Sequence, residues 1–272
     1  MYDIRVRAGI YSSMTWNVLE LLALFLIVLL HEFGHALACR SVGGRANQIV
    51  LWPLGGVAYA TPPSRPGATL WTIAAGPLVN VVLFPILSTL WWIADSVDVS
   101  QDVHQFIFMV WLINLILLAF NILPIYPLDG GQILRALLWF PMGRARSLMI
   151  ATVIGFIGAA GLATVAVLLR SVWLGLICLF NFFYCFQSFG QARELLRRDH
   201  AARREQYLCP NCRTSPPIGN FWRCGKCRKA FDPFATQLMC PHCNTQYSII
   251  GCLDCGSAAP LQEWAPGEFA KP

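Results

Sequence analysis

Five long apolar runs constrain this chain more than any other feature of its sequence. They cover residues 18–39, 69–94, 104–122, 147–169 and 171–190. A helix needs about 20 mostly apolar residues to cross a bilayer, and an isolated segment in lipid must satisfy its backbone hydrogen bonds internally. The chain is 56% hydrophobic and 12% charged, whereas soluble domains carry about 25% charged residues. The predicted fold is therefore mainly α, a polytopic membrane bundle of about five spanning helices.

Composition changes after the last apolar run. The polar remainder holds eight of the 11 cysteines. We predict four parts: a transmembrane domain at 1–190, a helical linker at 191–206, a cysteine module at 207–258 and a tail at 259–272. The net charge of +6 suits a membrane protein with a basic cytoplasmic side and does not by itself indicate nucleic acid.

The arginines predict the orientation of the spans. Loops 40–67 and 123–146 each contain three arginines, whereas loop 95–103 contains three aspartates and neither lysine nor arginine. Short cytoplasmic loops are enriched in lysine and arginine. We therefore expect an integral multi-pass protein of the bacterial inner (plasma) membrane, with its N-terminus outside and its C-terminus in the cytoplasm.

The loop after the first span contains a predicted hairpin. The stretch NQIVLWPLGGVAYA (47–60) has two β-prone pieces around a Gly-rich turn. It is apolar enough to dip into the bilayer edge, where non-helical backbone is tolerated only beside protein or a water-filled cavity. We predict a short re-entrant β-hairpin.

The first apolar run contains His31-Glu32-Phe33-Gly34-His35. A helix places His31 and His35 on one face, where both imidazoles can bind one zinc ion while Glu32 acts as general base. The alternative is that the histidines are buried, hydrogen-bonded packing residues. Because ionisable groups inside a membrane are usually functional, we favour the zinc site.

A catalytic zinc site usually has three protein ligands, and Asp129 is the candidate for the third. It lies in NILPIYPLDGGQILRAL (121–137), where prolines end a helix and Gly130 and Gly131 permit close backbone approach. The predicted topology brings Asp129 and the histidines to a similar depth on the cytoplasmic side. The alternative role is an N-cap or turn aspartate before a helix at 131–140.

Three motifs now resemble those of site-2 proteases, the intramembrane zinc metalloproteases, in the compact branch without a PDZ domain. The resemblance covers about residues 1–190, and the motifs are His31-Glu32-Phe33-Gly34-His35, Gly76-Pro77-Leu78-Val79-Asn80, and Asn121-Ile122-Leu123-Pro124 with Leu128-Asp129-Gly130-Gly131. It implies that His31, His35 and Asp129 bind catalytic zinc and that Glu32 activates water.

The resemblance also implies how substrate is held. Asn121 is expected to hold the substrate or the oxyanion. The hairpin, including Gly55 and Gly56, is expected to receive substrate as an added strand. Asn80 is expected to contact either the substrate backbone or a neighbouring helix. Members of this branch commonly have one more spanning helix before the first motif, and that helix is expected to be missing from this chain.

The last eight cysteines form four C-x-x-C pairs: Cys209 and Cys212, Cys224 and Cys227, Cys240 and Cys243, and Cys252 and Cys255. Two such pairs complete a closed, structural Cys₄ zinc site. Consecutive pairing predicts a double zinc ribbon with sites at 209–227 and 240–255, and cross-braced pairing is the alternative. Disulfides fit a cytoplasmic tail poorly. We thus expect one catalytic and two structural zinc ions.

The sequence therefore predicts an intramembrane zinc endopeptidase that cleaves a transmembrane or membrane-adjacent segment of a membrane protein near the cytoplasmic face. The alternatives are a non-catalytic membrane zinc protein that recruits a partner through its ribbons, and a metal transporter. Lys226, Arg228 and Lys229 make only a weak basic patch, so a protein partner of the ribbons is favoured over nucleic acid.

Overall fold

The apolar runs fold into five long helices in the computed structural model, which describes residues 11–52 and 55–265. They are α1 (Met14–Ser41), α2 (Pro66–Ser96), α3 (Gln101–Ile122), α4 (Asp129–Leu168) and α5 (Val172–His200). Each is long and apolar enough to cross a membrane. The predicted mainly α membrane bundle is confirmed.

Helices α1 and α2 pack closely enough for their backbones to touch. A Cβ atom on Gly34 would lie 2.5 Å from the carbonyl oxygen of Ala75. The buried positions of α2 include Thr72, Gly76 and Asn80, while Val82 on another face is 62% exposed. A buried polar stripe with an apolar exterior is the pattern expected of a helix that faces a bundle interior on one side and lipid on the other.

Helix α4 begins earlier than the predicted span at 147–169. It starts at Asp129 and is interrupted at Gly143, whose φ of 80° is not helical, so that two helices follow each other. Pro141 lies just before the break and cannot donate a backbone hydrogen bond. The predicted helix at 131–140 and the predicted span are therefore the two halves of one interrupted element.

The predicted hairpin is present. Strands β1 (Arg45–Trp52) and β2 (Gly55–Thr61) pair antiparallel, with an irregularity between Ala46 and Ile49. Ala46 is buried against Cys39 of α1, which anchors the base of the hairpin to the helix that carries the two histidines. Pro53 and Leu54 of the predicted turn lie outside the described residues.

The chain divides into two units, Met1–Gly190 and Gln191–Pro272. The second unit contains two short hairpins, β3 (Trp222–Arg223) with β4 (Ala230–Phe231) and β5 (Ile250–Gly251) with β6 (Ala258–Ala259), followed by the short helix α6 (Leu261–Trp264). One shared core joins them. Its largest members are Trp222, Phe231, Phe234 and Trp264.

Two predicted boundaries of the cysteine module are wrong. The predicted tail includes Trp264, which is 1% exposed and whose carbonyl accepts the backbone N–H of Leu208 at 2.7 Å. The predicted helical linker continues to 206, but α5 ends at His200. Arg204 already belongs to the module, because its guanidinium donates to buried Asp232.

Candidate active site

The candidate ligand atoms of the first unit converge on one point. The Nε2 atom of His31 lies 3.0 Å from Asp129 Oδ2, and the Nε2 atom of His35 lies 3.3 Å from the same oxygen. The two Nε2 atoms are 3.2 Å apart. His31 and His35 are 3% and 7% exposed, so the cluster is largely closed to solvent.

These spacings fit a tetrahedral zinc ion. Zinc binds histidine nitrogen and carboxylate oxygen at about 2.0–2.2 Å, which places two tetrahedral ligands about 3.3 Å apart. The three distances between His31, His35 and Asp129 span 3.0–3.3 Å. The donor set of two imidazoles and one carboxylate also leaves a fourth position, as catalytic zinc sites do.

A second layer of contacts orients both imidazoles. His35 Nδ1 lies 2.9 Å from the carbonyl oxygen of Thr72, and His31 Nδ1 lies 2.6 Å from Asn80 Oδ1. When Nδ1 donates its proton to these acceptors, Nε2 keeps a free lone pair. Helix α2 therefore presents both histidines to Asp129 in the tautomer that can bind a metal.

Glu32 is held by the hairpin. It is 7% exposed, and its Oε2 accepts the backbone N–H of Ala58 at 2.8 Å. Strand β2 lies so close that a Cβ atom on Gly56 would be 2.5 Å from Glu32 Cγ. The hairpin thus places an amide donor and a side-chain-free position directly against the candidate base.

Gly76 allows α2 to approach the two histidines. A Cβ atom at this position would lie 2.3 Å from His35 Nε2 and 2.8 Å from His31 Nε2. Both separations are well inside van der Waals contact, so only glycine fits while the imidazoles keep their positions. A glycine at this position of α2 is therefore a requirement of the metal cluster itself.

We expect Gly76→Ala to lower zinc affinity by about 10-fold or more, because the added methyl group displaces ligands that must hold a tetrahedral geometry. The measurement is zinc retained by the purified protein against a competing chelator. Gly161→Ala is the matched control, since no atom lies within 4 Å of a Cβ atom built on that helical glycine. Equal zinc retention by Gly76→Ala and the control variant would contradict this account.

The structure does not support the predicted contact between Asn80 and the substrate. It is 0% exposed, its Oδ1 faces His31, and its Nδ2 donates to Asn114. Both polar ends of the side chain are therefore occupied inside the protein, as in the alternative of a contact to a neighbouring helix. Asn121 is half-buried in the last turn of α3 and Gly55 pairs with Trp52 in the hairpin; their substrate roles stay predictions.

Sequence reasoning did not identify three groups that surround the site. They are the carbonyl of Thr72, the N–H of Ala58 and the side chain of Asn114. Backbone groups leave no signal in side-chain patterns. Asn114 did leave a signal in the sequence. An asparagine inside the apolar run 104–122 costs free energy unless it has a buried hydrogen-bond partner.

The cysteines of the second unit form two clusters whose pairing differs from both predictions. Cys209 and Cys212 lie with Cys252 and Cys255, and Cys224 and Cys227 lie with Cys240 and Cys243. The pairing is nested, neither consecutive nor cross-braced. Its physical reason is the shared core, which brings Leu208 and Trp264 into contact and so places the first and last C-x-x-C pairs together.

Sulfur separations in both clusters fit zinc and exclude disulfides. The cross-pair Sγ distances that define the clusters are 3.5–3.7 Å. A Zn–S distance of about 2.3 Å places tetrahedral sulfurs about 3.8 Å apart, whereas a disulfide would bring them to about 2.05 Å. The backbone N–H of Cys227 and the hydroxyl of Tyr247 lower the pKa of Cys224 to about 5, which favours the thiolate that zinc binds.

The chain is similar to known metalloproteases. Residues 19–96 and 87–165 match the model of peptidase family M50. A zinc metalloprotease of Methanocaldococcus jannaschii is 34% identical over 172 residues, which are 63% of this chain and 49% of that protein. Stage IV sporulation protein FB of Bacillus subtilis is 31% identical over 202 residues, 71% of this chain and 68% of that protein.

A solved structure resembles the chain as well. The site-2 protease from Methanocaldococcus jannaschii aligns with a TM-score of 0.50 and 29% identity, covering 69% of this chain and 83% of that one. The present chain spans about half the length of the M. jannaschii zinc metalloprotease described above.

Proposed function

Because the chain belongs to peptidase family M50, we propose that it is an intramembrane zinc metalloendopeptidase that cleaves a transmembrane or membrane-adjacent segment near the cytoplasmic face. One observation carries the proposal. Three ligand atoms converge within 3.3 Å inside apolar helices, and Glu32, the residue after His31 in the same helix, is held in place by Ala58. A purely structural zinc site would need no base beside a three-ligand cluster.

His31, His35 and Asp129 would hold the catalytic zinc. When bound there, zinc supplies Lewis-acid chemistry, activating a water molecule and polarising the peptide carbonyl. Glu32 accepts the proton of the attacking water and returns it to the departing amine, so that it serves first as base and then as acid. Because Ala58 binds Oε2, Oε1 is the oxygen assigned to proton transfer.

The substrate must be extended where it is cut. A helical segment hides its carbonyls in i→i−4 hydrogen bonds, so it must unwind locally before attack. We propose that it adds as a strand beside β2. The N–H of Ala58 points from β2 toward Glu32, so this edge of the hairpin lies next to the base, and Gly56 keeps side-chain atoms out of the gap between them. Asn121 is assigned to holding the substrate or the oxyanion.

The second unit is assigned a binding role. Each nested cysteine cluster would hold one structural zinc ion, which gives three zinc ions together with the catalytic one. We propose that this module is cytoplasmic and binds a protein partner. We also propose that the protein resides in the bacterial inner membrane.

Reconstitution of the purified chain in liposomes with a single-span reporter protein tests the function. We expect cleavage in or beside the reporter's span, at its cytoplasmic end, as located by mass spectrometry of the fragments. A zinc chelator should abolish cleavage and added zinc should restore it. Zinc flux into the liposomes without cleavage would instead indicate a transporter, and zinc binding with neither activity would indicate a non-catalytic zinc protein.

A further inference from the structure

Asn114 occupies an unusual position for a polar side chain. Within α3, which the structure describes in full, it is the one buried residue, and it is 0% exposed. An amide buried in an apolar environment is costly unless it is hydrogen-bonded. Asn114 therefore needs partners, and both of its partners are groups of one residue, Asn80 of α2.

The two contacts have a defined polarity. Asn114 Nδ2 donates to the backbone carbonyl of Asn80 at 3.1 Å, and Asn114 Oδ1 accepts from Asn80 Nδ2 at 2.8 Å. A backbone carbonyl can only accept. It therefore selects the NH₂ end of Asn114, and the oxygen of Asn114 must then face the side chain of Asn80.

The orientation of Asn80 in turn determines which of its atoms faces His31. With its NH₂ group directed to Asn114, Asn80 presents Oδ1 to His31 Nδ1 at 2.6 Å. An acceptor at that point requires the proton of the neutral imidazole to be on Nδ1, which leaves the lone pair on Nε2. Nε2 is the atom that lies 3.0 Å from Asp129.

The two histidines differ in the kind of group that faces their Nδ1 atoms. His35 Nδ1 faces the carbonyl of Thr72 directly, and a carbonyl needs no further residue to define it as an acceptor. His31 faces an amide that could present either end. Only the contact with Asn114 removes that ambiguity.

We propose that Asn114 is a positioning residue for the catalytic site: acting through Asn80, it fixes the tautomer of His31 and so prepares Nε2 to bind zinc. The relay joins α3, α2 and α1 through three side chains. It rests on the proposed function, in that His31 is taken to be a ligand of the catalytic zinc.

Asn114→Leu tests the relay, because leucine keeps the volume and removes both hydrogen bonds. We expect zinc affinity to fall about 10- to 100-fold, the usual effect of removing an outer partner of a metal-bound histidine. The visible absorption of the cobalt-substituted protein should also change, since it reports directly on the ligands. Asn114→Ala removes the same amide with less bulk and serves if the leucine variant does not fold.

Asn114→Asp is the rescue variant. The neutral carboxyl group, which burial in an apolar environment favours, can donate its O–H to the backbone carbonyl of Asn80 and still accept from Asn80 Nδ2. The orientation of Asn80 is therefore kept, and we expect zinc affinity and the cobalt spectrum close to those of the wild type. Asn181→Leu is the matched control. It removes another buried asparagine of a spanning helix, but one whose Nδ2 donates to Ile177 of its own helix.

The outcomes separate the inference from the proposed function. Zinc-dependent cleavage by the wild type, together with unchanged zinc affinity and an unchanged cobalt spectrum in folded Asn114→Leu or Asn114→Ala, would overturn the relay alone. Equal losses of zinc affinity in Asn114→Leu and Asn114→Asp would also overturn it, because the effect would then come from changed packing and not from the lost hydrogen-bond polarity. A wild type that binds no zinc outside the cysteine clusters would overturn both.

Discussion

Glu32→Gln should reduce cleavage by roughly 10²- to 10⁴-fold, the usual contribution of a general base, while the protein keeps its zinc. Glutamine has nearly the same shape as glutamate, and its amide oxygen can still accept the N–H of Ala58 that Glu32 binds. It cannot take a proton from water at neutral pH. The measurements are the cleavage rate of the reconstituted reporter and the zinc content of the same sample.

The control for this variant lies in the same helix. Glu20→Gln removes another carboxylate of α1, one that pairs with Tyr11 and that lies about three turns away from the histidines. We expect it to cleave at the wild-type rate. If Glu32→Gln cleaves within about tenfold of the control with zinc bound, Glu32 is not the base, because a general base contributes at least about 10²-fold.

The parts of the site that follow from short-range spacing could be predicted from the sequence. His31 and His35 are four residues apart and α1 is helical through both, so their convergence is a property of helical geometry. Asp129 was identifiable because prolines and glycines set it at the start of a helix beside the end of α3. Apolar run length was enough to find the five spans.

Contacts that depend on the rotational orientation of each helix about its own axis could not be predicted from spacing or run length. Asn114 meets Asn80 only because α2 and α3 present those positions to each other, and neither apolar run specifies that rotation. Gly76 is similar, since its neighbours in space are the imidazoles of His31 and His35 and nothing in the apolar run of α2 indicates that. Side-chain networks between spans therefore had to come from the three-dimensional structure.

The cysteine pairing could not be predicted for a different reason. All four pairs have the same C-x-x-C spacing, so the local chemistry of each is alike and the spacing does not show which pairs share a zinc ion. The buried aromatic core decides the pairing instead. Trp222 and Trp264 belong to one core, and enclosing them brings the ends of the module together.

Nested pairing makes a testable statement about which cysteines share a zinc ion. The first and last C-x-x-C pairs form the outer cluster. Cys252→Ser should release its ion and leave Cys209, Cys212 and Cys255 without zinc. Zinc binds to intact four-ligand sites of small zinc domains with about 10–16 kcal/mol. A site that lacks one thiolate binds its ion more weakly, so EDTA should remove that ion. We expect those three cysteines to be alkylated faster than the four of the other cluster, Cys224, Cys227, Cys240 and Cys243, as measured by mass spectrometry of the full chain.

One double variant distinguishes nested pairing from the two other possible pairings. Cys209→Ser combined with Cys252→Ser should cost no more zinc than either change alone, because both residues belong to the outer cluster. Under consecutive or cross-braced pairing the same double variant would damage both structural sites. Cys178→Ser is the control, since Cys178 is a buried cysteine outside both clusters. Loss of two zinc ions from the double variant, with the control unchanged, would show that the nested arrangement is wrong.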